Sequence, residues 1–251
     1  QQPFNGKVEF KDVCFRYPDA EECVLNDISF TSLPGEVTAI IGSTGCGKST
    51  LVNLIPRFFD VNQGAVLIDD VDIRAVTQAH LREQIGYTPQ RGVLFTGTVE
   101  SNLRFADQNA EEETLTESLE IAQATDFVFA NPEGMQADIS QGGSNVSGGQ
   151  KQRLSIARSL VKKPKIFIFD DSFSALDFKT DAALRRALSK KTGDSTIFLV
   201  TQRVATVKTA DQIIVLENGE IVGKGTHHEL MQTCQTYQEI ATSQLSKEEL
   251  E

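Results

Sequence analysis

The sequence has little positive charge for its length. It carries 24 lysines and arginines against 35 aspartates and glutamates in 251 residues, which gives a formal net charge of −11. Because general nucleic-acid binding requires a basic face, this balance argues against DNA or RNA as a partner. A local positive pocket within an acidic surface is still compatible with it.

Cysteine is also sparse. The four cysteines stand at positions 14, 23, 46 and 234, and no two of them have the spacing of a zinc knuckle or a redox pair. A chain of this length can bury enough apolar surface to fold without a disulfide or a metal. The pattern therefore predicts reduced thiols in a cytosolic protein.

Long apolar runs are missing as well. Those at 166–169 and 213–216 are among the longest, and both are far shorter than the roughly 20 residues that span a bilayer. We therefore expect this segment to be soluble by itself. Its first residue is Gln1 rather than Met, which fits a piece of a longer protein.

Apolar residues alternate between strand-like and helical spacing. Strand patterns occur near 8–15, 24–30, 37–41, 65–68, 85–88, 166–169 and 196–200, and helical spacing dominates 99–161. The turn Asn218-Gly219 between two short apolar runs predicts a hairpin. This order predicts an α/β domain with a largely parallel sheet, a helical insertion and one hydrophobic core.

A glycine-rich loop follows the strand predicted at 37–41. It comprises Gly42, Ser43, Thr44, Gly45, Cys46, Gly47, Lys48, Ser49 and Thr50, and it fits the phosphate-loop pattern G-x-x-x-x-G-K-[ST]. Such glycines let backbone N–H groups point at phosphate oxygens, and the following helix directs its positive end there. Lys48 would neutralise the β- and γ-phosphates, and Ser49 would supply an oxygen to Mg²⁺. An ordinary glycine-rich turn is the alternative, which the flanking strand and helix disfavour.

A second candidate residue ends a buried strand. The run 166–169 leads into Asp170, and an aspartate at the carboxyl end of a parallel strand can order the Mg²⁺ beside a phosphate loop. Many strands end in aspartate, so Asp170 alone is a modest signal. Together with the loop at 42–50, it predicts a nucleotide site that holds Mg²⁺.

The segment 146–150, Val-Ser-Gly-Gly-Gln, resembles the signature motif of ABC (ATP-binding cassette) ATPases. The order of motifs along essentially the whole chain is similar to that family: Tyr17, the loop at 42–50, Gln90, the signature, Asp170, 174–177 and the position of Gln202. The segments 94–98 and 226–230 resemble the exporter branch, and in particular the degenerate-site subunit of bacterial heterodimeric multidrug exporters.

The resemblance implies a phosphate-loop NTPase core with a mainly parallel sheet, an antiparallel β subdomain and a helical insertion. It implies one nucleotide-binding domain over 1–251, with the core at about 1–90 and 165–251 and the helical subdomain at about 91–164. The cofactors would be ATP and Mg²⁺. The domain would lie at the cytoplasmic face of a membrane, against a transmembrane domain of the same or an associated chain.

The resemblance also implies individual roles. Tyr17 would stack on adenine, Gln90 would touch Mg²⁺ and relay the nucleotide state to the membrane domain, and 174–177 would line a dimer interface. The signature residues would bind the γ-phosphate of ATP held by a second, facing cassette; they are Ser147, Gly148, Gly149 and Gln150. Read alone, Tyr17 is a turn aromatic before Pro18, Gln90 is a loop residue, and 147–150 is a capping box.

Three positions depart from the family pattern. Asp171 stands where active members carry Glu, Gln202 stands where they carry His, and Gln141 replaces a Glu common in exporters. The side chain of Asp171 is shorter than that of Glu by one C–C bond, about 1.5 Å. A misplacement of a catalytic group by about 1 Å can lower the reaction rate ~100-fold. Gln202 can donate a hydrogen bond but cannot become a cation. Independent drift at tolerant positions is the alternative explanation.

These departures predict a site that binds ATP and hydrolyses it slowly, beside a signature that completes the active site of a non-identical ABC partner. Two alternative functions are also open for this chain. It could be a soluble ABC ATPase that acts on DNA or ribosomes, or it could be a regulatory ATP sensor. The first usually carries coiled coils or tandem cassettes, and neither is visible here. A phosphate-loop kinase would leave the signature and Gln90 unexplained.

Overall fold

The computed structural model describes residues 4–246. Its strands are β1 (Val8–Phe15), β2 (Leu25–Ser32), β3 (Val37–Gly42), β4 (Gln63–Ile68), β5 (Val71–Asp72), β6 (Ile85–Thr88), β7 (Gly97–Thr98), β8 (Asp138–Ile139), β9 (Ile166–Asp170), β10 (Thr196–Val200), β11 (Gln212–Glu217) and β12 (Glu220–Gly225). Its helices are α1 (Lys48–Asn53), α2 (Gln78–Glu83), α3 (Val99–Arg104), α4 (Glu112–Ile121), α5 (Thr125–Ala130), α6 (Gly148–Val161), α7 (Phe178–Lys191), α8 (Val204–Val207), α9 (His227–Thr233) and α10 (Gln235–Gln244).

Two main sheets organise the described chain. A six-stranded sheet has the order β12-β11-β3-β10-β9-β6, in which every neighbouring pair is parallel except β11 with β12. A four-stranded antiparallel sheet has the order β2-β1-β4-β5. Helices α3 to α6 stand between β6 and β9 in the chain. The predicted α/β class, with its parallel sheet, antiparallel β part and helical insertion, is confirmed, whereas the domain bounds stay a prediction.

Alternate residues of the central sheet face opposite sides. Ala39, Ile41 and Phe169 join one buried cluster, which includes residues of α3 to α10. Ile40 and Ile168 join a second cluster, formed with β1, β2, β4, α1 and α2. The prediction of a single hydrophobic core is therefore wrong, because the parallel sheet is covered on both faces.

The hairpin predicted at Asn218-Gly219 is confirmed, and it also touches the phosphate loop. Both residues have positive φ, 49° and 78°, as a type I′ turn requires. The Gly219 N–H donates to the Cys46 carbonyl oxygen at 3.1 Å, and the Asn26 N–H donates to the Gly219 carbonyl oxygen at 2.9 Å. A Cβ at Gly219 would overlap the Val24 carbonyl oxygen. The turn thus has room only for glycine.

We expect Gly219→Ala to lower the free energy of unfolding by about 1–3 kcal/mol, because it combines an unfavourable φ with a backbone overlap. Gly193→Ala is the matched control, since the nearest atom to its added Cβ lies 3.8 Å away. Urea unfolding of both variants measures the difference. Equal midpoints would show that the hairpin can shift away from β2 at no cost.

Candidate functional site

The glycine-rich loop at 42–50 connects the end of β3 to the start of α1, as its pattern predicts. Gly47 has φ 106° and directly precedes α1. A Cβ at Gly42 would overlap the Leu216 carbonyl oxygen and lie 2.6 Å from the Cys46 sulfur. The loop therefore folds tightly only because glycine stands at these positions.

The Lys48 side chain lies inside this loop. Its Nζ donates to the carbonyl oxygens of Gly42 at 2.8 Å and Ser43 at 2.7 Å, and it lies 3.7 Å from the Cys46 sulfur. Only 8% of Lys48 is exposed. The cation is thus already placed within the loop, held by groups that an incoming phosphate can replace as acceptors. The Cys46 side chain is buried beside it.

Ser49 meets the aspartate that ends β9. The Ser49 hydroxyl donates to Asp170 Oδ1 at 2.8 Å. The Tyr87 hydroxyl shares its one proton between Asn53 Oδ1 at 2.9 Å and Asp170 Oδ2 at 3.4 Å. Burial raises the pKa of Asp170, against the opposing effects of these donors and the charge of Lys48. Sequence reasoning missed Tyr87; its only signal was a hydroxyl-bearing aromatic in the strand beside β9.

The oxygens of Ser49 and Asp170 suit Mg²⁺, which prefers hard oxygen ligands. Among residues 4–246, no group of three or more His, Cys, Asp or Glu side chains forms a ready-made metal site. Mg²⁺ is usually held by one or two carboxylates together with substrate phosphates and water. The pair therefore fits a metal that arrives with a nucleotide better than a resident metal.

Asp171 follows directly and turns into the cleft beside the loop. Its backbone is left-handed, with φ 48°, a conformation that aspartate adopts more readily than most residues. The Gln90 amide Nε2 donates to Asp171 Oδ2 at 3.0 Å. Burial and the neighbouring negative charge of Asp170 raise the pKa of Asp171. A raised pKa makes the carboxylate more basic, while the contact with Gln90 restricts its position.

Gln202 lies on the loop after β10 and reaches the phosphate loop. Its Nε2 donates to the Thr44 hydroxyl oxygen at 3.2 Å. The structure thus brings the side chains of Asp171 and Gln202 to the same cleft as the loop at 42–50. Gln141, the third departure, lies in a short 3₁₀ turn at Gln141–Gly143 and is exposed.

An open cleft of about 220 Å³ collects most of the predicted site. Its walls are formed by Val24, Thr44, Gly45, Gly47, Lys48, Ser49, Thr50, Gln90, Asp171, Val200 and Gln202. Tyr17 stands beside the cleft rather than in its wall. The Tyr17 hydroxyl lies 2.8 Å from the Thr50 hydroxyl, and its ring packs edge-on against Phe15 and Phe59.

The segment 147–150 is not in this cleft. Ser147 caps the start of α6: its hydroxyl accepts from the Gln150 N–H at 3.2 Å, and the Gln150 side chain accepts from the Ser147 N–H at 3.0 Å. The predicted capping box is therefore confirmed. Ser147 and Gly148 are exposed, so the first turn of α6 presents hydroxyl and N–H groups to the outside.

A phosphate loop with a Mg²⁺-suited carboxylate at the end of a neighbouring parallel strand defines a phosphate-loop nucleotide-binding protein. A family model described as ABC transporter matches residues 25–174, more than half of the sequence. The chain belongs to this family, as its ATP-binding domain.

Known relatives agree with this assignment. An uncharacterized ABC transporter ATP-binding protein of Mycobacterium tuberculosis (strain ATCC 25618 / H37Rv) is 50% identical over 242 residues, covering 95% of this chain and 41% of that protein. YgaD of Bacillus subtilis (strain 168), whose name describes a multidrug export ATP-binding/permease protein, is 41% identical over 239 residues. That match covers 95% of this chain and 41% of YgaD.

A solved structure of a bacterial Atm1-family ABC exporter with ATP bound superposes with a TM-score of 0.92 at 34% identity. The match covers 96% of this chain and 42% of that chain. The sequence thus spans about two fifths of the length of these relatives. Within residues 4–246, no helix combines the length and the apolar character needed to cross a membrane.

We expect Asp171→Asn to raise the free energy of unfolding of the nucleotide-free protein at pH 7. The substitution removes a carboxylate whose pKa is raised in the folded state, and which therefore destabilises the fold when it is charged. The gain in the free energy of unfolding should shrink as the pH falls through that pKa, because the wild-type carboxyl then becomes neutral. Denaturant unfolding between pH 7 and pH 4 measures this trend.

Asp177→Asn is the control of opposite sign. The Thr180 N–H and hydroxyl hold the pKa of Asp177 below its usual value, so this variant should be less stable than wild type at pH 7. Its deficit should stay constant between pH 7 and about pH 4 and shrink only below that range, as the pH falls through the lowered pKa of the wild-type carboxyl. The same pH trend in both variants would contradict the assigned environments.

Proposed function

We propose that the chain is the ATP-binding domain that powers a membrane exporter, with a site of its own that holds Mg-ATP and cleaves it slowly. One observation carries the proposal. Asp171 and Gln202, the two departures at the reaction centre, both line the cleft of the phosphate loop, whereas the unaltered signature is exposed elsewhere.

Binding of ATP rests on the loop, Lys48, Ser49 and Asp170. Lys48 and the loop N–H groups would hold the phosphates, while Ser49, Asp170 and Gln90 would contact Mg²⁺. Tyr17 would stack on adenine from its place beside Thr50. Mg²⁺ supplies charge neutralisation at the phosphates.

Slow hydrolysis follows from the reach and charge of the two altered side chains. A general base must lie within hydrogen-bond distance of the water that it activates. The Asp171 side chain is one methylene shorter than that of Glu, and its carboxylate already accepts a hydrogen bond from Gln90. The neutral Gln202 amide would add no positive charge at the γ-phosphate. Both features favour a nucleotide that stays bound and intact.

The exposed signature favours a facing partner. Ser147 with the N–H groups of Gly148 and Gly149 would bind the γ-phosphate of ATP held by a second, non-identical ABC subunit. The transmembrane domain would belong to the same or an associated chain, with this domain at the cytoplasmic face. The permease named in a relative and the partial coverage of that relative support this arrangement.

A regulatory ATP sensor is the second candidate, favoured by the position of Asp171 and Gln202 in the cleft. It would bind ATP without serving a partner, so it predicts no role for Ser147. A test of Ser147 in two complementary chains separates the two candidates, because only a subunit that serves a partner needs this serine.

We expect the double variant Asp171→Glu/Gln202→His to raise the rate of ATP hydrolysis by roughly 10- to 100-fold, as expected for a reacting group restored to its place. ATP affinity should stay close to that of wild type. Phosphate release at saturating Mg-ATP and several protein concentrations measures this, with Lys48→Ala as the binding-deficient control. Brisk hydrolysis by wild type, with no gain in the double variant, would contradict slow hydrolysis.

A complementation experiment tests the signature. One chain carries Asp171→Glu/Gln202→His with Ser147→Ala, and the other carries Lys48→Ala. Each alone should be nearly inactive, because the first lacks a signature serine and the second cannot bind ATP. Their mixture should hydrolyse ATP at the one site that combines an intact nucleotide cleft with an intact signature. An inactive mixture, or full activity of the Ser147→Ala chain alone, would contradict a trans role for Ser147.

A further inference from the structure

The last helix of the described chain reaches the loop that carries Gln202. The Gln244 Nε2, at the end of α10, donates to the Gln202 carbonyl oxygen at 2.7 Å. The Gln244 Oε1 accepts from the Val204 N–H at 2.9 Å. The side-chain amide of Gln244 thus makes hydrogen bonds to the backbone on both sides of residue 203, one as a donor and one as an acceptor.

Gln244 acts from a fixed support. Ala241 and Tyr237, about one and two turns earlier on α10, are completely buried in the cluster on the helical side of the sheet. Leu245 packs partly against the same cluster. This spacing anchors one face of α10, so the Gln244 side chain starts from a backbone that the core holds in place.

The same segment is tied on its other side to the loop after Asp171. The Arg203 guanidinium donates to the Ser174 carbonyl oxygen at 2.9 Å and to the Leu176 carbonyl oxygen at 3.0 Å. The Asp171 carbonyl oxygen in turn accepts from the Ser174 hydroxyl at 2.9 Å. Residues 202–204 are therefore held between α10 and the segment that follows Asp171.

We propose that Gln244 is a positioning residue for the γ-phosphate end of the cleft. By fixing the backbone at Gln202 and Val204, it keeps the Gln202 side chain directed at Thr44 and at the place of the terminal phosphate. Gln244 itself does not line the cleft. The proposal rests on the proposed function only in taking that cleft as the Mg-ATP site.

The environment of Gln244 makes a purely structural role a poor explanation. Its side chain is exposed, so its removal leaves no buried cavity, and the groups that lose a partner are the Val204 N–H and the Gln202 carbonyl oxygen of the loop itself. Its two bonds go to one short loop segment and to no other part of the core. Loss of the amide should therefore change the order of that loop far more than it changes the fold.

Gln244→Ala and Gln238→Ala form a matched pair on one helix. The Gln238 Nε2 donates to the Met231 carbonyl oxygen, so it makes the same kind of bond without touching residues 202–204. Hydrogen–deuterium exchange of the nucleotide-free variants reports directly on the hydrogen bond between the Val204 N–H and Gln244. We expect faster exchange of the Val204 amide in Gln244→Ala and no change there in Gln238→Ala.

The functional measurement is the discrimination between Mg-ATP and Mg-ADP. Gln244→Ala should weaken ATP binding by roughly 3- to 10-fold, the effect of one impaired hydrogen bond, with little change in ADP binding. Gln202→Ala should show the same loss. The double variant should lose no more than either single variant, because Gln244 acts through Gln202.

Three outcomes would overturn the proposal. They are unchanged Val204 exchange in Gln244→Ala, equal losses of ATP and ADP affinity with lowered stability, and losses that add in the double variant. If wild type binds no Mg-ATP at all, the proposed function fails instead, and the Val204 exchange still decides whether Gln244 fixes the loop.

Discussion

The shared register of three adjacent parallel strands is the constraint on which the site depends. Val200 in β10 pairs with Ile40 in β3 on one side and with Asp170 in β9 on the other. Strands β9 and β10 therefore end at the same level, and β3 continues two residues further, to Gly42. Because the carboxyl ends of parallel strands meet at one edge, this register brings the phosphate loop, the two aspartates and Gln202 together.

This register also explains why two departures from the family pattern, far apart in the sequence, lie in the same cleft. Asp171 and Gln202 each follow the end of one of these neighbouring strands, so a change at either position reaches the same cleft. The signature starts a helix that is inserted between β6 and β9 and opens outward. Binding groups, altered reaction groups and the exposed serine thus belong to separate structural elements, which can change independently.

Local patterns were enough to predict the loop at 42–50, Asp170 and the capping box, because each is defined by a few consecutive residues. The contacts of Gln90 with Asp171 and of Gln202 with Thr44 join residues 81 and 158 positions apart. Such contacts depend on packing that no local pattern encodes. The resemblance placed these residues in one site, but it did not give their hydrogen bonds.

Other features had no usable signal in the sequence. The central strands are apolar on both faces, so their runs hide the alternation that divides the core into two clusters. Tyr87 supports Asp170 from the next strand, and Gln244 approaches from the end of the chain that is described. Both are ordinary residues in the sequence, and only the folded arrangement gives them partners at the site.

The central claim is that this cleft holds Mg-ATP without readily cleaving it. The most direct test is to incubate wild-type protein with Mg-ATP, separate the protein from free nucleotide, and identify the nucleotide that remains bound. The account predicts that intact ATP is the main bound species after many minutes. Bound ADP alone, with phosphate released over repeated turnovers, would contradict it.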